Sequence, residues 1–343
     1  MTVFPRKATP YLLGVFVSIT LASTSAHAQD CATTRLPDVV AMPIPHLNPS
    51  DPMQVSVGQL KYRGGLYLEH LEPKFGAFSG LSISRDGTTL SAVGDGNWVQ
   101  ASLDYDEVGN LSGLQVICAG AIKDEQGNDF EWWEDQDAES LSFNGEEFLV
   151  GFESNLRVLA YKDLGGPARN IPVPDDFEEG VPTGAGYSSI DATGPDDLII
   201  ITENARNADD QIKSYVRQAS GSGTFWLKLE GEEFHLPVGL ATMPDGNLVL
   251  AELAVHTAQD GTRAYRRLRI STIDRASVVP GAVVTPSMIA EIDPPLIFEK
   301  YESIDARLGA NGETLIYIMS DDGRARAETT MVRVFELTHD VSP

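Results

Sequence analysis

The sequence predicts an all-β fold, a β-propeller of five or six blades. Three observations support this prediction: one short pattern recurs along the chain, every copy reads as a β-hairpin, and no segment shows sustained helical periodicity. The copies span residues 79–95, 139–153, 188–203, 238–252 and 302–321. Intervals of this size between copy starts suit four-stranded blades joined by loops.

The hairpin turns are encoded locally. Every copy carries Gly together with Asp or Asn between its two apolar runs, and these residues accept the positive φ of tight turns at low steric cost. The turn sequences are Asp86-Gly87, Asn144-Gly145, Gly194-Pro195-Asp196, Asp245-Gly246 and Asn311-Gly312. Each copy therefore predicts two antiparallel strands.

Weaker β-prone segments between the hairpins predict the outer strands of the blades. These segments are residues 98–103, 111–119, 156–161, 224–229 and 267–273. Residues 54–69 and 330–337 are also β-prone. We predict that these last two segments pair and complete one blade, because closure of this kind leaves no open sheet edge.

The N-terminus has the pattern of a secretory signal peptide. Arg6 and Lys7 precede an apolar run over residues 11–22, and Ala26-His27-Ala28 forms a cleavage signal. We predict a signal peptide over residues 1–28, an extended segment over 29–52 and a propeller domain over 53–343. The mature protein is expected to be periplasmic or secreted and monomeric. No membrane span is expected, because no other stretch approaches the roughly 20 apolar residues that a membrane helix needs.

The two cysteines predict one disulfide bond. Cys31 and Cys118 are the cysteines of a chain that we expect to be exported, and pairing is common in that setting. The bond would tie the N-terminal segment to the body of the domain. Two unpaired thiols are the alternative.

The chain is strongly acidic. It has 50 Asp and Glu residues against 25 Lys and Arg residues, which gives a formal net charge of −25 at pH 7. A surface of this sign repels nucleic acid, so nucleic acid is not an expected partner. Divalent cations are plausible partners, although acidity also keeps an exported protein soluble.

The positions of some carboxylates indicate a site. The start of the first strand of a hairpin and the end of its second strand lie at the same edge, so a ring of hairpins gathers these positions at one mouth. Glu139 and Glu302 stand at first-strand starts. The acids at second-strand ends are Asp95, Glu153, Glu203, Glu252 and Asp321.

Such a cluster requires a positive partner, because carboxylates about 4 Å apart repel by several kcal/mol. One candidate is Ca²⁺, which accepts six to eight oxygen ligands in irregular geometry. The other is arginine, since Arg157, Arg206 and Arg324 follow shortly after rim acids, as do Arg263 and Arg326. A metal or ligand site and a purely structural ring of salt bridges both remain open at this stage.

A serine hydrolase is disfavoured because the chain has no G-x-S-x-G motif. Ser79, Ser140 and Ser303 read as small residues at crowded strand starts. If one of them were a nucleophile, His235 or His256 would be its base. The histidines lack zinc-ligand spacing. Trp132 and Trp133 could form an aromatic ligand platform, although we favour the commoner role of covering the outer core of a blade.

Several motifs together resemble the bacterial family known as "esterase-like activity of phytase". They are Phe78-Ser79-Gly80-Leu81, Asp137-Ala138-Glu139-Ser140-Leu141, Phe152-Glu153, Gly239-Leu240-Ala241, Tyr301-Glu302-Ser303-Ile304 and Ser320-Asp321-Asp322. The resemblance covers roughly residues 75–337. This chain departs from the family at the third hairpin, where Tyr187-Ser188-Ser189-Ile190 lacks a rim Glu.

The resemblance implies phosphoester chemistry, and the rim provides residues for it. In that hypothesis Ca²⁺ binds the seven rim carboxylates, Glu139 or Glu302 accepts a proton from water, and an arginine grips the phosphoryl oxygens of a small anionic substrate. The arginines would be Arg157, Arg206 or Arg324. The alternative is a non-catalytic propeller that binds a ligand or a protein and has a salt-bridged rim.

Overall fold

The structure is a computed structural model that describes residues 1, 38–70, 75–231, 234–257, 263–323 and 329–338, the side chains of 255–257 and 263–266 excepted. Its strands all lie in the compact unit Cys31–Pro343. The predicted signal peptide and Cys31 fall outside the described residues, apart from Met1. Cys118 is buried in the core. Export and the disulfide therefore stay predictions.

The secondary structure is almost entirely β. The chain begins with β1 (Val39–Pro43), β2 (Ser56–Val57) and β3 (Leu60–His70). One four-residue helix, α1 (Asp175–Glu178), and two 3-10 turns, Trp133–Asp135 and Arg275–Ser277, are the helical elements among the described residues.

The described strands group into five antiparallel units of four strands, here called sheets, and one parallel pairing of Gly64 with Leu111 joins the first unit to the fifth. The first sheet contains β4 (Phe78–Ile83), β5 (Thr89–Gly94), β6 (Asn97–Tyr105) and β7 (Leu111–Ala121). The second contains β8 (Ala138–Phe143), β9 (Phe148–Phe152), β10 (Arg157–Tyr161) and β11 (Arg169–Ile171). The third contains β12 (Ser189–Asp191), β13 (Leu198–Arg206), β14 (Ile212–Gln218) and β15 (Gly221–Leu227), with β19 (Val283–Val284) added in parallel to β15.

The last two sheets follow the same plan. The fourth contains β16 (Phe234–Thr242), β17 (Leu248–Thr257), β18 (Arg263–Ile273) and β20 (Ser287–Ile292). The fifth contains β21 (Tyr301–Leu308), β22 (Thr314–Ser320), β23 (Thr330–Leu337) and β3. All five predicted hairpins are present as antiparallel pairs.

The sheets are arranged in a closed ring, which confirms the predicted β-propeller. The first strands of the five sheets, β4, β8, β12, β16 and β21, each contact the next, and β21 contacts β4. The ring is completed as expected from the two ends of the domain, because β23 pairs antiparallel with β3, for example Val332 with Leu66. In addition β1 pairs with β3.

Alternation within each strand builds the core. In β22, Leu315, Tyr317 and Met319 pack against the first sheet, whereas Ile316 and Ile318 pack against the fourth. Successive side chains of a strand point to opposite faces, so a strand buried on both faces reads as a continuous apolar run. One hydrophobic cluster of this kind lies between each pair of neighbouring sheets. In the part of the chain that is described, no helix is long and apolar enough to cross a membrane.

Candidate functional site

Three carboxylates converge at one edge of the ring. One oxygen from each of Asp95, Asp137 and Glu139 lies within 4.8 Å of the others. Asp95 follows β5 of the first sheet, and Asp137 directly precedes β8, the strand of the second sheet that contains Glu139. We call these residues the acidic triad. Asp137 was not among the predicted site residues.

More carboxylates surround the acidic triad. Burial raises the pKa of Glu139 well above its ordinary value, and the nearby charges of Glu302, Glu153, Asp137 and Asp95 raise it further. A carboxyl group shifted in this way is held next to other negative charges. Four of the predicted rim acids, Asp95, Glu139, Glu153 and Glu302, are therefore gathered here, together with Asp137.

Glu153 connects the triad to the third sheet. Burial raises the pKa of Glu153 to about 7, Glu203 and Asp137 raise it as well, and Lys300 opposes them. Glu203 is on β13 of the third sheet. The mouth thus draws acids from several sheets, as a ring of hairpins with one polarity requires.

The fifth sheet contributes an acid pair joined by a lysine. The Nζ atom of Lys300 lies 2.7 Å from Oε1 of Glu302 and 3.0 Å from Oδ2 of Asp321. Burial raises the pKa of Glu302 to about 8, with Asp321 raising it further and Lys300 opposing the shift. Ser79 donates a hydrogen bond of 3.4 Å to Oε2 of Glu302. Lys300 was missed by sequence reasoning, which considered arginines for this role.

A β-bulge explains why Glu139 and Glu302 point out of their strands. In the second sheet Ala138 pairs with Phe152 and Ser140 with Gly151, so Glu139 is skipped by the ladder. In the fifth sheet Tyr301 and Ser303 pair with successive residues and Glu302 is skipped. A bulged residue is left unpaired and its side chain is re-aimed. The same shift leaves Ser79 and Val238 unpaired in the first and fourth sheets.

The loop before Glu139 is hydrogen-bonded to the loops that follow β5 and β9. The amide of Gly96 donates to the carbonyl of Gln136 at 2.7 Å, and the hydroxyl of Ser154 donates to Asp137. Gly96 has a φ of +72°, a backbone conformation that residues with a Cβ rarely adopt. Glycine is therefore favoured at this position next to Asp95.

Arg157 packs against the loop that precedes the acidic triad. Its guanidinium stacks on the ring of Phe152, with 4.0 Å from Cζ to the ring centroid, and on the ring of Phe130 at 5.1 Å. It donates hydrogen bonds to the carbonyls of Asn155 and Asp135. Burial lowers the pKa of Arg157. These contacts hold the loop that leads to the acidic triad.

Arg206 is likewise engaged with the protein. Its donors bond Asn204, Asp210 and the carbonyl of His235, and its guanidinium lies over the ring of Phe234. Arg324, the third predicted substrate-binding arginine, lies outside the described residues. Among the described residues, Lys300 is a cation in contact with the rim acids Glu302 and Asp321.

Glu252 differs from the other predicted rim acids. Its contacts lie in its own sheet, where it accepts a hydrogen bond of 2.6 Å from Ser271 and lies 3.8 Å from Arg269. Burial raises the pKa of Glu252, and Ser271 and Arg269 oppose the shift. Its charge is therefore satisfied within the fourth sheet.

The serines at the strand starts have structural contacts. Ser140 and Ser303 donate to the carbonyls of Tyr187 and Met319. The innermost strands leave only a cavity of about 10 Å³ on the axis at this level, room for about one water molecule. A ligand larger than a water molecule does not fit in this cavity.

An aspartate next to the mouth holds the segment before the first sheet. Asp322 accepts hydrogen bonds from the amide of Ala77 at 2.8 Å and from Thr330 Oγ1 at 2.9 Å, and its Oδ2 lies 3.0 Å from His70 Nε2. Ala77 has a φ of +51°. These contacts stabilise a strained turn immediately before β4, which carries Ser79.

Residues 73–323 match the family described as "esterase-like activity of phytase", named phytase-like. The chain belongs to the phytase-like family. The match begins just before β4 and ends just after Asp321, so it includes the acidic triad, Lys300 and Glu302. No curated protein matches the chain.

Several solved structures are similar to this phytase-like chain. An endo-arabinase from Bacteroides thetaiotaomicron is 10% identical, with 79% of this chain and 97% of that chain covered and a TM-score of 0.46. A PQQ-bound aldose sugar dehydrogenase from Streptomyces coelicolor is 10% identical, covers 88% and 100%, and has a TM-score of 0.41. The β-propeller domain of Cps50 (Swd1) from Myceliophteria thermophila is 11% identical, covers 88% and 100%, and has a TM-score of 0.37.

Proposed function

We propose that this phytase-like propeller is exported and hydrolyses phosphate esters with Ca²⁺ bound at its acidic mouth. The observation that carries the proposal is the acidic triad of Asp95, Asp137 and Glu139, whose oxygens lie within 4.8 Å of one another. The raised pKa of Glu139 adds to it, because negative charge concentrated in this way is relieved by a cation.

The donor set fits a hard cation. Its three members are all carboxylates, and Ca²⁺ binds carboxylate oxygens while tolerating irregular geometry. Asp95, Asp137 and Glu139 would hold the ion, with Glu153 and Glu203 supplying further negative charge. A bound Ca²⁺ would neutralise the charge of an anionic substrate and acidify a water molecule.

The residues of the fifth sheet can move a proton and hold an anion. Because its pKa is raised to about 8, Glu302 carries a proton over much of the neutral range and can exchange it there. Lys300, 2.7 Å from Glu302, can bind phosphoryl oxygens at the same mouth. Arg157 and Arg206 then act as supports of the rim, and Arg324 remains a proposed substrate ligand.

Export and the disulfide belong to the same proposal. The N-terminal basic and apolar pattern with its Ala26-His27-Ala28 signal supports cleavage near Ala28 and a periplasmic or secreted protein. An oxidising compartment would favour the pair Cys31 and Cys118. We further propose that the mature protein is a monomer and does not bind nucleic acid.

A non-catalytic binding propeller is the second candidate. Its support is the bridge that Lys300 makes to both Glu302 and Asp321, because an internal cation can satisfy part of the rim without a metal. In that case the mouth would present a salt-bridged surface to a ligand or a protein.

The test is phosphate release by the mature protein from p-nitrophenyl phosphate and from phytate, with Ca²⁺ and with EGTA. Glu139→Gln is the site variant, and Glu146→Gln is the matched control, because Glu146 is exposed on the hairpin turn of the same sheet. We expect calcium-dependent turnover that falls by about 100-fold or more in Glu139→Gln and is unchanged in Glu146→Gln.

The outcomes separate the candidates. Turnover that survives Glu139→Gln would come from a contaminant or from another site and would contradict the proposal. A calcium-induced rise in melting temperature without turnover would leave a metal-binding propeller. The absence of both would favour the salt-bridged binding module.

A further inference from the structure

Two adjacent tryptophans are exposed beside the mouth. Trp132 and Trp133 each expose 67% of their surface. The expectation that this pair covers the outer core of a blade is therefore wrong. Exposed glutamates, Glu131 and Glu134, flank the pair on both sides. Two large aromatic surfaces held in water at a rim indicate a binding function, because most tryptophans are largely buried.

Hydrogen bonds brace the segment that carries the tryptophans. Trp133 begins a 3-10 turn in which the amide of Gln136 donates to the Trp133 carbonyl at 2.9 Å. The side chain of Gln136 donates to the carbonyl of Phe130 at 3.0 Å, and Arg157 stacks on Phe130. A rigid presentation of aromatic surface lowers the entropic cost of binding.

The same segment ends in the acidic triad. Asp137 follows Trp133 by four residues, and the carbonyl of Gln136 accepts a hydrogen bond from Gly96, which follows Asp95. The tryptophan pair and the triad are thus parts of one braced loop. The Cα atoms of Trp133 and Asp137 are separated by four residues, which span at most about 14 Å when fully extended.

The charge around the indoles selects the ligand. The exposed stretch reads Glu131-Trp132-Trp133-Glu134, and the chain as a whole carries a formal charge of −25. Indole faces attract cations, including quaternary ammonium groups, and neighbouring carboxylates add to that attraction. Anionic groups are repelled by the same carboxylates.

We propose that Trp132 and Trp133, with Glu131 and Glu134, form a subsite for an organic ammonium group. This extension rests on the proposed phosphoester hydrolysis. The subsite then indicates which alcohol is esterified to the phosphate of the substrate. It is an amino alcohol, whose phosphate would be held by the cation that the triad binds and whose ammonium group contacts the indoles.

The binding test uses choline and the mature protein in EGTA, so that it does not depend on a metal or on turnover. Isothermal titration is compared with 3,3-dimethyl-1-butanol, which has the shape of choline without its charge, and with glucose. We expect saturable binding of choline, and binding weaker by about tenfold for the neutral isostere.

Two variants test the residues. Trp132→Ala/Trp133→Ala and Glu131→Gln/Glu134→Gln should each weaken choline binding by about tenfold or more. Phe143→Ala is the matched control, because Phe143 is an aromatic residue with 43% exposure at the opposite end of β8. All side chains changed are exposed or half-exposed, and an unchanged circular dichroism spectrum confirms folding. Equal binding of choline by the wild type and both double variants would overturn the proposal.

Kinetics then separate this proposal from the function on which it rests. Phosphocholine and glycerol 2-phosphate are compared, and the tryptophan variant should raise KM for phosphocholine by about tenfold and leave KM for glycerol 2-phosphate unchanged. Choline binding without any turnover would contradict the hydrolase and keep the ammonium subsite. Turnover without choline binding, or equal binding of choline and its neutral isostere, would contradict the subsite and keep the hydrolase.

Discussion

Asp305 joins the fifth sheet to the first and should make the stability of the propeller depend on pH. It lies on β21, and its carboxylate accepts hydrogen bonds from the amides of Ile83 on β4 and of Ala306. Burial raises the pKa of Asp305 from 3.8 to about 7 in spite of these bonds; the charge of Asp191 raises it further and Arg307 opposes the shift. The carboxyl group is therefore protonated more readily in the folded protein than in the unfolded chain.

The sign and size of the effect follow from this shift. A pKa raised on folding contributes stability that is fully present below about pH 4 and is lost as the pH rises through about 7. Each pKa unit corresponds to about 1.4 kcal/mol, so the complete change is about 4 kcal/mol, of which about 2 to 3 kcal/mol falls between pH 5 and pH 8. Asp305→Asn cannot ionise and should lack this component.

The assay is urea unfolding of the wild type and Asp305→Asn in EGTA at several pH values from 5 to 8. The free energy of unfolding of the wild type, taken relative to the variant, should fall by about 2 to 3 kcal/mol over that range. Glu153 and Glu302 also titrate there, but they are present in both proteins and cancel in the difference. A difference that stays constant with pH would refute the reasoning.

Three other outcomes are expected. Lys300→Met removes the cation that opposes the raised pKa of Glu302, so that pKa should rise further. The loss of stability with rising pH, measured in EGTA, should then extend beyond about pH 8. The double variant Lys300→Met/Glu302→Gln should lack that extension. Arg333→Lys keeps the buried charge but loses the planar stacking on two aromatic rings, and should destabilise by about 1 to 2 kcal/mol in urea unfolding; an unchanged midpoint would contradict this. Ca²⁺ should raise the melting temperature of the wild type, and Asp137→Asn should need about tenfold more Ca²⁺ for the same rise; equal calcium dependence would exclude Asp137 as a ligand.

The hairpins could be predicted from the sequence because their information is local. Turn pairs such as Asn144-Gly145 and the apolar runs beside them specify two antiparallel strands without reference to the rest of the chain. The outer strands were harder. β14 and β20 mix polar and apolar residues, and their strand structure depends on pairing with β13 and β18.

The site was predicted in part, for reasons that the contacts make clear. Glu139 and Glu302 recur at one position of the repeat, so their common edge could be derived from the hairpin polarity. Asp137 and Lys300 precede their hairpins and fall outside the repeated pattern, although each stands two residues before one of these glutamates. Arg157 was assigned to the substrate from its closeness in sequence to a rim acid, whereas its stacking on Phe152 depends on the folded structure.

The bulge at the start of the innermost strands explains how a repeat fold can hold so much like charge at one place. In four of the five described sheets the ladder skips one residue, and those residues are Ser79, Glu139, Val238 and Glu302. A skipped residue is released from cross-strand pairing, so its chemistry can change while the ladder on either side is kept. The third sheet shows no such shift between β12 and β13 and carries no Glu there. Backbone pairing thus fixes the positions of the Glu139 and Glu302 side chains. Lys300 compensates part of their negative charge, and in the proposed function a bound cation compensates the rest.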